Sequence, residues 1–227
     1  MTDSLSRLSD GFVLRFATDL YHCSSCNYCV DAVWPERGLD DACVPTAHHT
    51  RAPGYSGRGF IAAARAVLEG TPLAAANLAE RVFTCTSCGN CESACPIGLR
   101  PASIGEALRA ELVDADCIPE PIARARQSVL TQANPYGAKK SSRAAWAADL
   151  AVVADPAGPI YFVGCAAGLA LPAEARAGYE LLRRAGLSPQ IATTECCGAP
   201  LATYGDPANA EVLASACAQA IGAERTV

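Results

Sequence analysis

Lysine is almost missing from this chain: Lys139 and Lys140 are the only two among 18 basic residues, and the arginines are dispersed. Against 23 acidic residues the net charge is −5. That balance gives no surface for a polyphosphate, so nucleic acid is excluded as an expected partner. No apolar run reaches the ~18 residues of a membrane span. The opening, Met1-Thr2-Asp3-Ser4, has no basic stretch leading into an apolar segment, so a reducing compartment is the expected setting. There is no Gly-x-Gly-x-x-Gly and no phosphate-loop lysine, which excludes a nucleotide or flavin fingerprint on this chain. Histidine is limited to His22, His48 and His49, and no Ser/His/Asp or paired-carboxylate arrangement is legible.

Cysteine, by contrast, is abundant, with 13 in 227 residues. An odd number of clustered cysteines in a reducing setting points to metal or redox chemistry instead of structural disulfides. The run Cys85-x2-Cys88-x2-Cys91-x3-Cys95-Pro96 is the bacterial ferredoxin spacing. Three closely spaced thiolates wrap one [4Fe–4S] cubane, and the fourth, turned away by the proline, serves a second one. Zinc would call for two separated Cys-x2-Cys pairs. Cys23-x2-Cys26-x2-Cys29 repeats the triplet, and Cys43-Val44-Pro45 stands where its remote cysteine belongs. The pairing rule assigns Cys23, Cys26, Cys29 and Cys95 to cluster one, and Cys85, Cys88, Cys91 and Cys43 to cluster two. The first run departs from the pattern, since Cys43 follows Cys29 after x13 and a valine precedes its proline. The alternative at that position is a labile three-cysteine cluster, or His48 or His49 as the fourth ligand.

Helical periodicity runs over 3–20, with Ser4 or Asp3 as its cap, and over 57–69, 72–84, 102–114 and 120–132. Thr71 is the expected cap of the helix at 72–84, with Pro72 opening it. Residues 30–55 read as loop. Beyond the turn Asn134-Pro135-Tyr136-Gly137 and a short helix at 139–148, the pattern changes. Ile160–Gly164 and Gln190–Thr193 read as strands, 172–186 and 207–222 as helices, and Arg225-Thr226-Val227 as the start of a third strand or a frayed tail. Strand alternating with helix is the signature of a parallel sheet. The expected class is α+β in two domains: an all-α domain at 1–135, a linker at 136–158, and a parallel α/β domain at 159–227.

The helical spacer between the two cysteine runs resembles the α-helical ferredoxin domain of fumarate reductase iron–sulfur subunits and heterodisulfide reductase subunits. Cys165 and the later Cys196-Cys197-Gly198-Ala199-Pro200 resemble the first two parts of the cysteine-rich CCG domain of heterodisulfide reductases and related oxidoreductases. Together the parts resemble the D-type subunit of heterodisulfide reductase. The resemblance implies an electron-transfer subunit with two [4Fe–4S] clusters. A further iron–sulfur cluster, or a disulfide-reducing site, would form at Cys165, Cys196 and Cys197 in a longer protein that supplies the family's Cys-x-x-Cys. It implies a flavoprotein, hydrogenase or membrane cytochrome as partner, and a cytoplasmic place, peripheral on the inner membrane through that partner. The missing Cys-x-x-Cys and the unpaired third strand set the expectation that the chain is a fragment; a natural short form is the alternative. A zinc-stabilised interaction module is the remaining non-redox reading. Cys117 and Cys217 are read as buried thiols.

Overall fold

In the helix Gly57–Leu68 the side chains of Phe60, Ile61, Ala64 and Val67 recur every three to four residues, and all are buried. In Pro101–Asp114 the stripe of Ile104, Ala107, Leu108 and Leu112 is wholly buried. Facing apolar stripes of this kind pair helices, and these two pack along each other as the centre of the molecule's helical part. The computed structural model describes residues 11–31, 52–150, 158–192 and 196–222. Cys43, His48, His49, the cap at Ser4 or Asp3, and Arg225-Thr226-Val227 lie outside the described residues.

The α-helices, in chain order, are α1 (Ala17–His22), α2 (Tyr28–Asp31), α3 (Gly57–Leu68), α4 (Ala75–Phe83), α5 (Asn90–Ser93), α6 (Pro101–Asp114) and α7 (Glu120–Gln132). They continue as α8 (Pro172–Arg184), α9 (Ala199–Thr203) and α10 (Pro207–Ile221). Strands β1 (Ile160–Phe162) and β2 (Gln190–Ala192) pair in parallel, Tyr161 opposite Ile191. The class is α+β, mostly helical with a small parallel sheet, as the alternation after residue 158 anticipated. The chain divides into two units: Met1–Glu120 with Thr203–Asp206, and Pro121–Ala202 with Pro207–Val227.

The first unit's core joins Val13, Phe16 and Leu20 to the inner faces of α3, α4 and α6. Truncating a fully buried leucine here, such as Leu108 to alanine, costs about 2–5 kcal/mol. Of the helix expected over 3–20, residues 3–10 lie outside the described residues, and 11–16 are not α-helical. Residues 11–13 form a turn, a 3-10 stretch covers Leu14–Phe16, and α1 begins only at Ala17. Glu111, buried on α6, accepts the Val13 N–H at 2.9 Å through its carboxylate within this turn. A β-carbon at Gly11 would meet the Glu111 carboxylate, the end of a side chain that would have to shift. Helix α4 also starts later than the Thr71 cap implies. Thr71 instead closes α3, its N–H bonding Ala66 O at 2.8 Å behind Gly70 at φ +67°.

Burial raises the Glu111 carboxyl above its ordinary value of 4.5, against the lowering effect of the amides of Val13 and Phe12. A carboxyl raised in the folded state contributes stability when protonated and loses it as the pH climbs from 4.5 through the raised value. Glu111→Gln keeps an acceptor for Val13 and removes the ionisation. The variant is therefore expected to melt at or above the parent's temperature at neutral pH, with the gap closing as the pH falls. A parent that is the more stable of the two at neutral pH would contradict this account.

In the second unit, Trp146, Val163, Ala175 and Tyr179 form the core around β1, with Tyr161 and Ile191 packed against it. Trp146 meets Tyr161 edge to face at 6.2 Å and Tyr179 at 6.4 Å. The Asn134 side chain ties its own turn, accepting from Tyr136 N and Ala138 N and donating to Gln132 O and Ala138 O. A 3-10 stretch, Lys140–Ala147, then carries Arg143 and Trp146 into the interior.

Candidate metal centre

Each cysteine triplet follows a helix end. Cys23 succeeds α1 and Cys85 lies just beyond α4. The chain then coils back on itself through left-handed residues, Ser25 (φ +58°) and Asn27 (φ +71°) in the first loop, Ser87 (φ +53°) and Gly89 (φ +74°) in the second. The short helices α2 and α5 begin at the next residue and present Cys29 and Cys91. Such alternation turns successive amides inward, toward a shared concavity. Ser87 N–H points at Cys85 Sγ at 3.4 Å, and Leu99 N–H at Cys95 Sγ at 3.3 Å.

Cys23, Cys26, Cys29 and Cys95 line one small pocket. Pro96, Ile97 and Leu99 supply an apolar wall. Cys95 therefore faces the first triplet although it follows the second in sequence. Among the described residues no three of His, Cys, Asp or Glu converge tightly enough for a single metal ion; these four thiols surround a volume instead. Thiol donors around a cavity, with amides aimed at sulfur, fit a [4Fe–4S] cubane. Burial pushes the Cys29 thiol up to about 11, partly opposed by the amide of Arg58. A thiolate there is stable only beside an offsetting positive charge, which iron would supply.

The second triplet repeats the exposure pattern of the first. Cys26 and Cys88 are exposed, whereas Cys91 is buried and Cys23, Cys29 and Cys85 are half-buried. The triplets are neighbours. A β-carbon built on Gly57, at the start of α3, would lie 3.3 Å from Cys29 Cβ and 3.0 Å from Cys91 Cβ. Helices α2 and α5 pack together beside it.

The second unit carries the other thiols. Cys165 follows β1 and opens a π-helical turn, Ala166–Ala170. Cys196 and Cys197 come after β2 and before α9, and Cys196 is fully buried. The three thiols act on one another, Cys165 and Cys197 both bearing on the Cys196 thiol. It is held protonated by those two neighbours and by burial. Cys165 and Cys197 are drawn below the usual thiol range, first by the Cys196 S–H and then, against burial, by groups that include Arg143. Gly198 has φ +81°, and a β-carbon there would overlap Ala210 O. Only glycine permits the bend that turns the adjacent cysteines to one side. Cys217 is buried, and Cys117 is half-buried against the first core. His22 is exposed at the end of α1. Sequence reasoning passed over Arg143, one of three basic residues, with Lys139 and Lys140, between the Asn134 turn and Trp146.

Comparison with known proteins agrees with this geometry. Residues 19–99 match the 4Fe-4S dicluster domain. Over 129 residues, 56% of the chain, the sequence is 33% identical to the D-type subunit of dihydromethanophenazine:CoB–CoM heterodisulfide reductase from Methanosarcina barkeri. It is 31% identical over the same length to the corresponding subunit from Methanosarcina acetivorans. The matched stretch spans 32% of the length of those relatives. No solved structure matches. The chain is thus an iron–sulfur protein with a 4Fe-4S dicluster domain, similar over its matched part to the D-type subunit of heterodisulfide reductase.

Proposed function

We propose that this chain is an electron-transfer subunit of a heterodisulfide reductase-like complex, relaying single electrons through two [4Fe–4S] clusters. The observation that carries the reading is the junction at Gly57, where the third cysteine of each triplet approaches one point. Groups held by the two triplets are then neighbours, as a relay requires. Cys23, Cys26, Cys29 and Cys95 hold one cluster; the cavity they share supports this set. Cys85, Cys88 and Cys91 hold the other, with Cys43 as fourth ligand by the ferredoxin pairing rule. A helical ferredoxin domain at 1–135, a linker at 136–158 and a partial CCG domain at 159–227 are proposed as functional parts; the compact units divide instead at Glu120/Pro121, and Trp146 of the 136–158 stretch belongs to the second unit's core. When bound, the clusters supply reversible one-electron chemistry. The protein sets their potential through burial and N–H donors to sulfur, as at Ser87 and Leu99. Exposed Cys26 and Cys88 mark the edges where a donor and an acceptor subunit would approach. Those subunits are a flavoprotein, a hydrogenase or a membrane cytochrome. The last would hold this chain at the inner membrane's cytoplasmic face; no helix among the described residues is long and apolar enough to cross a membrane.

A second reading is favoured by the linked thiols Cys165, Cys196 and Cys197. In a longer protein these three, joined by a downstream Cys-x-x-Cys, hold a further cluster at which a disulfide is reduced. Anaerobic visible and electron paramagnetic resonance spectra test both readings. Two interacting cubane signals are expected from residues 1–135. Iron in excess of two cubanes, lost on changing Cys196 and Cys197 to serine, would favour the second reading. A colourless zinc protein would overturn both.

A further inference from the structure

The two halves of the helical unit share more than their cysteines. Leu20 and Val82, each three residues before the first cysteine of a triplet, are both fully buried. Tyr21 and Phe83 stand two residues before it. From α3, Arg65 donates Nε to Leu20 O at 2.5 Å and Nη2 to Cys23 O at 3.2 Å, with its guanidinium 5.6 Å from the Tyr21 ring centre. From α6, Arg109 donates Nε and Nη2 to Val82 O at 3.1 and 2.8 Å and Nη2 to Cys85 O, with its guanidinium 5.5 Å from the Phe83 ring centre. Both arginines take the ninth position of their helices, counted from Gly57 and Pro101. Four features therefore recur at the same offsets: the carbonyl three residues upstream, the aromatic ring, the carbonyl of the first cysteine and the cation.

We infer that Arg65 and Arg109 are matched positioning residues, one per triplet, each fixing the loop of its first ligand and holding a positive charge beside the group bound there. The inference rests on the reading that each triplet holds its own cubane. Of the carbonyls they bind, Leu20 O and Val82 O lie in the last turns of α1 and α4, where intrahelical donors run out, and Val82 O also accepts the Cys85 N–H at 3.3 Å. A planar guanidinium can reach both the helix end and the cysteine carbonyl at once, which a lysine ammonium cannot match in geometry. Arg109 also reaches Ser87 Oγ at 3.2 Å, and Ser87 N–H in turn points at Cys85 Sγ. Arg109 is only 2% exposed, so its charge acts with little screening by water. A fixed cation favours the more negative, reduced state of a nearby cluster and so raises its potential.

The test is a redox titration of the anaerobically purified full chain, followed by electron paramagnetic resonance, for Arg65→Gln, Arg109→Gln and the two lysine variants. Cys95→Ala assigns the signals. Arg109→Gln is expected to shift the one-electron equilibrium of the cluster on Cys85, Cys88 and Cys91 toward the oxidised form by about tenfold, ~59 mV, leaving the other in place. Arg65→Gln should do the converse. Where a glutamine variant loses its own cluster alone, the inference also holds, and the lysine variant should retain that cluster with a potential nearer the parent's. Unmoved potentials in both glutamine variants, equal movement of both clusters, or loss of both clusters even with lysine would overturn it. One cubane or none in the unaltered protein overturns the two-cluster reading itself, and the inference with it.

Discussion

Cys95→Ala is expected to remove the cluster seated on Cys23, Cys26 and Cys29 and to spare the one on Cys85, Cys88 and Cys91, halving the iron. The reason is spatial. Cys95 ends the second cysteine run, yet its side chain lines the cavity of the first triplet together with Leu99 and Pro96. The Leu99 amide points at its sulfur at 3.3 Å and fixes that direction. Alanine leaves a three-thiol site open to solvent, and cubanes held by three thiolates lose iron readily. Cys85→Ser is the mirror experiment: it should cost about one cubane and leave the first triplet's signal readable. Iron analysis and electron paramagnetic resonance distinguish the cases. Retention of the first triplet's signal in Cys95→Ala would mean that each run serves its own cluster.

Gly57→Ala is expected to do more damage than any single ligand change, lowering both clusters together. An added β-carbon would lie 2.6 Å from Pro101 Cβ, 3.0 Å from Cys91 Cβ and 3.3 Å from Cys29 Cβ. None of these neighbours is the far end of a flexible side chain. Pro101 is a rigid ring at the first position of α6, and the two cysteines are held by α2 and α5. Relief must come from separating α3 from α6, which are the centre of the first core. Overpacking of this kind costs about 1–3 kcal/mol, and here the displacement falls on a ligand of each cluster. Gly164→Ala is the control, because a β-carbon there meets nothing within 4 Å. Iron per chain in Gly57→Ala should fall below that of Cys95→Ala. A Gly57→Ala protein with its full iron content would contradict the packing described for the junction.

The cysteine spacings were legible because ligand geometry is local: Cys-x2-Cys-x2-Cys places three sulfurs around one corner whatever the rest of the chain does. Helices α3 and α6 were legible for a related reason, since their apolar stripes carry the 3.6-residue period over several turns. The turn that precedes α1 was not. A periodic pattern at Leu5, Leu8, Phe12 and Phe16 says nothing of Glu111, about a hundred residues away, whose carboxylate accepts the Val13 N–H. At Thr71 the amide donates to Ala66 O at the end of α3, and the next helix begins only at Ala75. The arginine pair was hidden by unequal loop lengths. Arg65 and Arg109 stand at matching places in space but follow their first cysteines at different distances along the chain. At the CCG motif, the need for glycine was legible in type, and its cause, the approach of Ala210 O, was not.

The measurement closest to the central claim is iron and acid-labile sulfide per chain in anaerobically purified protein, taken with the spectrum of the dithionite-reduced sample. Two neighbouring cubanes on residues 23–95 predict about eight iron and eight sulfide per chain, and a reduced spectrum broadened by coupling between the two clusters. A single cubane's worth of iron, or zinc without sulfide and no reduced signal, would contradict the account.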